Sequence, residues 1–239
     1  MELTSAEIVE RVATSLEAAG RTASHTDRVM RSLKNSNDPT VMPKSKQGGG
    51  TGMVHPQLSH YANFAIGIMA TNTATEAALA VQRYRPLEAL SMAEETVSVQ
   101  DGDVVIRRTT CIRGLKESID VDGKRLHPWD EGDNFKTFGE IVEAIIIECI
   151  NEARVEECVV WHANPWAEIT VRIPPGKRHI YSFAPIRDLL DGRELTPWSR
   201  PKGSSFSMPV ETFRVLGELA RHSTGCQKIA SNATTGKAA

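Results

Sequence analysis

The first residues of the chain follow the pattern of an amphipathic helix. Thr4 and Glu7 have the spacing of a capping box, in which each side chain binds a free backbone N–H at the start of a helix. The apolar residues that follow fall on one helical face: Ile8, Val12 and Leu16. Gly20 predicts the end of this helix, because a glycine often follows the last helical turn.

Two more helices are predicted before residue 83. Ser24 and Asp27 have the spacing of a second helix start, and the polar run 35–39, which ends in a proline, predicts where that helix stops. A third helix, apolar on most sides, is expected to begin at Pro56 or Ser59 and to continue to about residue 82.

Patterns typical of strands begin after residue 95. Residues 97–100 and 104–108 flank the sequence Asp101-Gly102-Asp103, which predicts a β-hairpin with an Asp-Gly turn. A second hairpin is predicted for 158–162 with 166–173. The short apolar run 180–183 predicts a strand at a sheet edge.

Two helices interrupt this second part of the chain. Thr137 and Glu140 form another capping pair, and the isoleucine-rich run after them predicts a helix, deeply buried on one side, that ends near Ala153. A last helix is expected after Pro209.

Together these patterns predict an α+β protein built from two units. Residues 1–82 would form an amino-terminal helical head, and residues 83–95 would be a linker. Residues 96–222 would form an α+β domain with antiparallel hairpins packed on one long helix, serving self-association or partner binding. The tail, residues 223–239, is rich in small and polar residues and is expected to be disordered.

The segment between the second and third helices carries the most informative candidate chemistry. Gly48, Gly49, Gly50 and Gly52 lie within five positions, after Lys44 and Lys46. Glycine lets a hairpin tip pass close to a backbone and present its N–H groups to phosphate. The Walker and dinucleotide patterns are excluded, because no Gly-Lys-Ser/Thr follows the glycines and no strand–helix crossover surrounds them.

Positive charge is concentrated in this part of a slightly acidic chain. The formal net charge of the chain is −2, whereas residues 20–55 contain six basic and two acidic residues, a net charge of +4. Lysine and arginine side chains there could neutralise phosphates and release counterions, which supplies the sequence-independent part of DNA affinity. Residues near the start of the second helix are the ones that usually meet base edges in a major groove.

Two short helices, the sequence Lys-Ser-Lys-Gln-Gly-Gly-Gly-Thr-Gly and an apolar helix resemble the order found in winged helix-turn-helix proteins. More narrowly, this order is similar to prophage-associated regulators of bacteria, over residues 1 to about 82. The resemblance implies a non-enzymatic, sequence-specific transcriptional regulator that binds double-stranded DNA without a cofactor. A two-fold dimer would place two heads on a pseudo-palindromic site.

Charge, helix position and resemblance together predict a set of DNA-binding residues. The set comprises Ser24, His25, Arg28, Arg31, Lys34, Lys44, Lys46, Gln47, Gly48, Gly49, Gly50 and Thr51.

Three other interpretations stay open. The glycine-rich segment could be a mobile surface turn beside a solvated helix face. The same order would suit a DNA-recognising subunit of a phage packaging or assembly complex. An enzyme is the third: His162 and Glu168 could pair across a hairpin for acid–base chemistry, although no nucleophile motif accompanies them.

Cysteine spacing and hydropathy bear on metal binding and on the location of the protein. Cys111, Cys149, Cys158 and Cys226 are far apart without a Cys-x-x-Cys pair, so buried free thiols are expected and a structural metal site is not. No apolar run approaches the roughly 20 residues of a membrane span, and the amino terminus lacks the pattern of a secretory signal. These features favour a cytoplasmic protein without a membrane partner.

Overall fold

A computed structural model of the protein combines six α-helices with one eight-stranded sheet in the part of the chain that it describes. That part comprises residues 4–36, 38–43, 56–100, 103–121, 123–129, 137–150, 154–162, 165–173, 176–185 and 203–222. The helices are α1 Ser5–Leu16, α2 Ala23–Asn35, α3 Leu58–Ala70, α4 Ala77–Tyr84, α5 Phe138–Glu148 and α6 Val210–His222. The predicted α+β class is confirmed.

The sheet is antiparallel at every strand pair except one. Its strands are β1 Glu88–Gln100, β2 Asp103–Arg113, β3 Ile119–Val121, β4 Lys124–Trp129, β5 Val155–Trp161, β6 Trp166–Ile173, β7 Lys177–Ala184 and β8 Ser205–Met208. They lie in the order β3-β4-β2-β1-β7-β6-β5-β8, and only β2 and β4 run parallel. The predicted hairpins β1–β2 and β5–β6 are therefore confirmed.

Local capping chemistry explains where the helices begin. Thr4 and Glu7 form the predicted capping box at α1. Thr137 caps α5 by accepting a hydrogen bond from the backbone N–H of Glu140. The predicted start of α2 at Ser24 is wrong, because Thr22 accepts the bond from the backbone N–H of His25 and starts the helix two residues earlier.

Helix α3 lies at the centre of the helical layer. Twelve of its thirteen residues are buried, as expected for a helix that is apolar on all sides. It contacts α2, α4, α5 and α6 as well as β5 and β8. Gly67 makes the contact with α2 close, since a Cβ atom there would lie 3.2 Å from Cγ1 of Val29.

One hydrophobic core joins the helices to one face of the sheet. It extends from Ile8 on α1 through Phe64 on α3 and Phe183 on β7 to Phe213 on α6. Tyr84 adds a polar link, because its buried hydroxyl donates a 2.6 Å hydrogen bond to the carbonyl of Trp161. The predicted linker at residues 83–95 is wrong: α4 ends within it, and β1 begins at Glu88.

Three further boundaries differ from the sequence prediction. The segment 180–183 belongs to β7, which lies between β1 and β6 and is not an edge strand. The third helix ends at Ala70, and α4 follows after a short 3-10 turn at Ala74–Glu76. Helix α5 ends at Glu148. The predicted disordered tail, residues 223–239, lies outside the described residues.

Candidate nucleic-acid interface

A short turn positions α2 against α1. The 3-10 turn Glu17–Ala19 follows α1, and Gly20 then adopts a left-handed conformation with φ of 75°. The backbone N–H of Arg21 donates to the carbonyl of Leu16 at 3.3 Å, which closes the turn. Glycine suits this position because a Cβ atom disfavours positive φ. Helices α1 and α2 are thus two packed helices joined by a short turn.

The two faces of α2 differ in chemistry. Its buried face packs on α1 and α3 through four residues: Thr26, Val29, Met30 and Leu33. The opposite face is exposed to solvent and carries Ser24, Arg28, Arg31 and Asn35, spaced four, three and four residues apart. This spacing places the four side chains on one stripe along the helix. Asn35 was predicted only as part of the helix stop.

One acidic residue accompanies the two arginines. Oδ2 of Asp27 forms an ion pair with Nη2 of Arg31 at 2.8 Å, and the two side chains are 40% and 74% exposed. An exposed pair of this kind contributes little to stability, about 0–1 kcal/mol. Arg31 can therefore exchange this carboxylate for another anion at small cost. Arg28 and Arg31 also border an open groove of about 470 Å³ between α2 and the start of α4.

Lys34 is held by the scaffold and does not lie on the exposed stripe. Its ammonium group donates to Oγ of Ser5, at the start of α1, and burial lowers its pKa. Arg21, which contributed to the local positive charge, is also held. It donates to the carbonyl of Thr71 at 3.1 Å and lies 4.4 Å from the ring centroid of Phe206.

His25 lies at the border of the stripe. Its side chain is half-buried, and burial lowers its pKa, with smaller contributions in the same direction from Arg21 and Arg28. A lowered pKa favours the neutral imidazole at pH 7. Nε2 of His25 is itself buried and has no hydrogen-bond partner among the described residues, and the neutral ring does not add to the positive charge there.

The chain that leads into the glycine-rich segment is anchored on α3. The side-chain amide of Asn63 donates hydrogen bonds to the carbonyls of Thr40 and Val41, at 3.0 and 2.8 Å. Val41 and Met42 are both 3% exposed. The segment therefore departs from a fixed point beside α2 and α3.

The chain that leaves the glycine-rich segment is anchored at the same place. Nδ1 of His60 accepts a 2.7 Å hydrogen bond from the backbone N–H of Gln57, which caps the start of α3. Pro39, Gln57 and His60 line one cleft, so the chain before the segment and the chain after it lie close together. Because Nδ1 accepts a backbone N–H, the ring proton lies on Nε2.

Burial and charge both disfavour protonation of His60. Burial lowers its pKa, the positive charge of Arg85 acts in the same direction, and the hydrogen bond to Pro39 acts against them. The imidazole is only 6% exposed. At neutral pH it is therefore the uncharged imidazole that accepts the backbone N–H of Gln57.

Arg85 links this anchor to α5. Its Nη1 donates to Oδ1 of Asn63 at 2.7 Å, and its Nη2 pairs with the carboxylate of Glu143. Gly139 permits this approach, since a Cβ atom there would lie 2.4 Å from Cγ of Arg85. Asn63 is thereby held on both sides, by the guanidinium and by the two carbonyls it binds. The sequence analysis did not identify His60, Asn63 or Arg85 as functional residues. The available signal was that two of them, His60 and Asn63, are polar residues inside an apolar helix, because buried polar groups need partners.

Several predicted contact residues lie outside the described residues. They are Lys44, Lys46, Gln47, Gly48, Gly49, Gly50 and Thr51. Of the predicted set, the structure brings Ser24, Arg28 and Arg31 onto one exposed stripe, places His25 at its border, and turns Lys34 towards α1.

The predicted acid–base pair in the second half of the chain does not form. His162 contacts the carbonyl of Met69 through Nε2 at 2.7 Å and Oγ of Ser204 through Nδ1 at 3.1 Å. Glu168 lies opposite Val159 in the strand register and accepts a hydrogen bond from Nε1 of Trp166. His162 therefore joins α3 to the end of the sheet. The predicted acid–base chemistry depended on a pairing of His162 with Glu168, and these two residues have other partners.

A different polar cluster lies on β1 and β7. Nε2 of His179 is 3.2 Å from the carboxylate of Glu94, and Nδ1 is 3.3 Å from the hydroxyl of Tyr181. Lys177 hydrogen-bonds the same carboxylate at 3.1 Å and is the largest cause of its lowered pKa. The nearby thiol of Cys111 has a pKa raised by burial and by Glu94, so it is not an activated nucleophile.

The expectation of buried free thiols is confirmed for two cysteines. Cys149 and Cys158 are 2% and 0% exposed, and burial raises the pKa of Cys149 to about 11. Within the described ranges, histidine, cysteine and acidic side chains form no group able to hold a metal ion. Nor does any helix in those ranges combine the length and apolarity needed to cross a bilayer.

Comparison with protein-family models, with curated proteins and with solved structures gives no match to this chain.

Proposed function

We propose that the protein binds double-stranded DNA through the exposed stripe of α2 and regulates transcription. The observation that carries this proposal is the contrast between the two faces of α2. One face is packed in the core, and the other presents Ser24, Arg28, Arg31 and Asn35 to solvent. A helix held from behind in this way can enter a major groove without unfolding any other part of the protein.

The four side chains of the stripe suit contacts to base edges and contacts to backbone phosphates. Arginine binds guanine O6 and N7 in bidentate fashion, asparagine binds adenine N6 and N7, and serine can bind either base type. The same groups also bind phosphate oxygens and thereby set the position of a helix on the duplex. Arg28 and Arg31 supply the charge, and Ser24 and Asn35 add neutral hydrogen bonds at the two ends.

The glycine-rich segment would act as a second contact. The residues before it are held at α3 by Asn63, and the residues after it lead into the start of α3, where Nδ1 of His60 binds the backbone N–H of Gln57. Lys44 and Lys46 follow the anchored residue Met42 at distances of two and four positions in the chain. In the proposed mechanism these lysines bind backbone phosphate on one side of the groove that α2 enters.

The experiment that tests this function measures how affinity depends on salt. We expect a labelled random-sequence DNA duplex of about three helical turns to bind in fluorescence anisotropy, with log Kd rising linearly with log salt concentration. An RNA duplex of matched sequence should bind more weakly, because the A-form major groove does not admit a helix. Selection from a random pool would then give the preferred sequence.

A charge-matched pair of variants tests the site. Arg28→Ala with Arg31→Ala should weaken DNA binding by about tenfold or more and reduce the salt slope by about one per lost phosphate contact. Arg11→Ala with Arg214→Ala removes the same charge from α1 and α6, where both arginines are exposed and paired with glutamates. This control should bind nearly as the unmodified protein does. Equal losses in both variants, or no salt-dependent binding at all, would refute the proposed site.

A further inference from the structure

The β1–β2 hairpin extends beyond the rest of the sheet. The last paired residues of β1 and β7 are Thr96 and Lys177, beyond which the backbone N–H of Val97 donates to the carbonyl of Gly176 at 3.0 Å. The pairing of β2 with β4 starts only at Thr110. Among the described strands, none but β1 and β2 pairs with residues 97–100 and 103–106. We call these residues the arm.

The arm exposes its apolar side chains on one face. Val97 lies opposite Ile106 and Val99 lies opposite Val104, so the four form two adjacent cross-strand pairs. Their exposed fractions are 37%, 55%, 71% and 66% in that order. We call these four residues the arm strip. They are four of the seven large apolar residues that are exposed in the described part of the chain.

The strip faces away from the helices. Met92 of β1 packs against the main core, so alternate residues from there point towards the helical layer, and Glu95, Val97 and Val99 point to the opposite side. An apolar face on a projecting two-stranded hairpin is unusual, because such a hairpin is only marginally stable in water without a partner. Contiguous apolar patches of this kind mark interaction sites.

Arginines surround the base of the strip on the same face. Glu95 pairs with Arg108 at 3.5 Å and with Arg178 at 3.2 Å, and Glu156 pairs with Arg172 at 2.7 Å and with Arg178 at 3.8 Å. Three arginines thus share two carboxylates. Nε of Arg178 is buried and has no hydrogen-bond partner among the described residues. The base therefore carries an excess of positive charge.

The tip of the arm carries the opposite charge. Asp103, the first residue of β2, is exposed there. Asp101, which lies outside the described residues, adds a second acidic residue to this part of the sequence, and no basic residue occurs between Gln100 and Val104. A second copy, related to the first by a two-fold axis that crosses the arm, would place its arm strip against the arm strip of the first copy. Its acidic tip would then lie beside the arginines of the first copy. The reverse contact would be identical, as a closed two-fold interface requires.

We propose that the arm strip is the contact between two copies of this chain, packed face to face with the arms antiparallel. The strip would supply the apolar centre of the interface. The arginines and the acidic tips would supply its polar rim. Ordinary protein interfaces, which bury about 800 Å² on each partner, have the same arrangement of an apolar centre and a polar rim. The proposal concerns self-association and does not depend on whether the protein binds DNA.

Mass in solution tests the proposal with the full chain and no DNA. We expect light scattering after gel filtration, and sedimentation at several concentrations, to show a reversible dimer. Val99→Lys with Val104→Lys should raise the dimer dissociation constant about a hundredfold or more, because each lysine would be buried without a counter-charge. Leu79→Lys with Ile119→Lys is the matched control, since those residues are 54% and 41% exposed outside the arm.

A milder variant guards against a loss of folding. Val99→Thr with Val104→Thr keeps two β-branched residues of similar shape in the strands. We expect an increase in the dimer dissociation constant of about tenfold, with an unchanged circular dichroism spectrum and thermal midpoint. A monomer at all concentrations, a ring in place of a dimer, or equal weakening by the control pair would each overturn the proposal.

The sign of one charge substitution tests the antiparallel arrangement. Asp103→Lys should weaken the antiparallel dimer about threefold or more, because it places a lysine near the arginines of the other copy. If the arms packed parallel, the two acidic tips would face each other, and the same substitution would strengthen the dimer. A strengthened dimer would therefore overturn the antiparallel arrangement.

Discussion

Helices α2 and α3 have the same length and pack against each other, yet their surfaces differ. Each has thirteen residues, of which twelve are buried in α3 and four in α2. Gly67 of α3 and Val29 of α2 meet at their contact. The comparison indicates where a binding surface can exist: α3 has almost no free face, whereas α2 offers a complete polar stripe.

The buried helix contributes to the proposed function in another way. His60 and Asn63 lie in its first two turns and hold the chain on both sides of the glycine-rich segment. Arg85 and Glu143 fix Asn63 in turn from α4 and α5. One helix thus presents side chains to a ligand, and its neighbour positions the second contact. Substitutions on α2 and on α3 should separate these two roles.

The largest effect is expected from the apolar side of α3. Phe64 is fully buried in the main core, so Phe64→Ala should lower the free energy of unfolding by about 3–5 kcal/mol. Ser24→Ala on the exposed stripe of α2 should change it by less than about 0.5 kcal/mol. Denaturant unfolding measures both values. A loss below about 1 kcal/mol for Phe64→Ala would mean that α3 is not the centre of the core.

The polar side of α3 should show an intermediate effect on two properties. Asn63→Ala removes two donated hydrogen bonds and leaves Arg85 and two carbonyls without that partner, so it should cost about 2 kcal/mol or more. It should also weaken DNA binding, because the segment that carries Lys44 loses its anchor.

Asn35→Ala is the matched substitution on α2. Asn35 is exposed, so its loss should weaken DNA binding and leave the free energy of unfolding unchanged. The two asparagine substitutions therefore separate a residue that positions the glycine-rich segment from a residue that contacts DNA. If Asn63→Ala lowered the stability without changing DNA affinity, the glycine-rich segment would have no part in binding.

Local signals predicted the starts of α1 and α5 and the two hairpins. Thr4 and Thr137 cap their helices as the sequence indicated, because capping depends on residues only three positions apart. The first half of β1 was missed. Its residues, such as Glu88, Ala89 and Met92, favour helix, and they form a strand because β2 and β7 pair with them on both sides.

Local signals also predicted part of the candidate site. Helical spacing is enough to place Ser24, Arg28 and Arg31 on one face. It cannot show that Ser5 of α1 lies next to Lys34, or that His162 contacts α3, since both contacts join residues far apart in the chain. Long-range packing decides which polar residues stay free.

A pH titration tests the anchor that His60 forms. Its folded-state pKa lies below the ordinary value of 6.5, so the unfolded chain takes up a proton first as the pH falls. The free energy of unfolding should therefore decrease below about pH 6.5, by at most about 1.4 kcal/mol per pH unit for each such group. His25 has a pKa lowered in the same direction and adds to this slope.

His60→Asn separates the two histidines. Asparagine keeps an acceptor for the backbone N–H of Gln57 but does not titrate, so the slope between about pH 5 and 7 should become flatter. His25→Asn should flatten the slope in the same direction. A slope that His60→Asn leaves unchanged would show that this imidazole is not held in its neutral form.

The smallest predicted effect concerns the one carboxylate on the exposed side of α2. Asp27 binds Arg31 at 2.8 Å, and a phosphate must compete with it for the guanidinium. Asp27→Asn removes that competitor and the repulsion between its charge and DNA. Because an exposed pair is worth about 1 kcal/mol at most, DNA affinity should rise by about two- to fivefold. Glu211→Gln, which frees Arg214 on α6 from a similar exposed pair, should leave the affinity unchanged. A lower affinity for Asp27→Asn would instead mean that this carboxylate holds Arg31 in the orientation that DNA needs, and the stripe of α2 would then depend on positioning as α3 does.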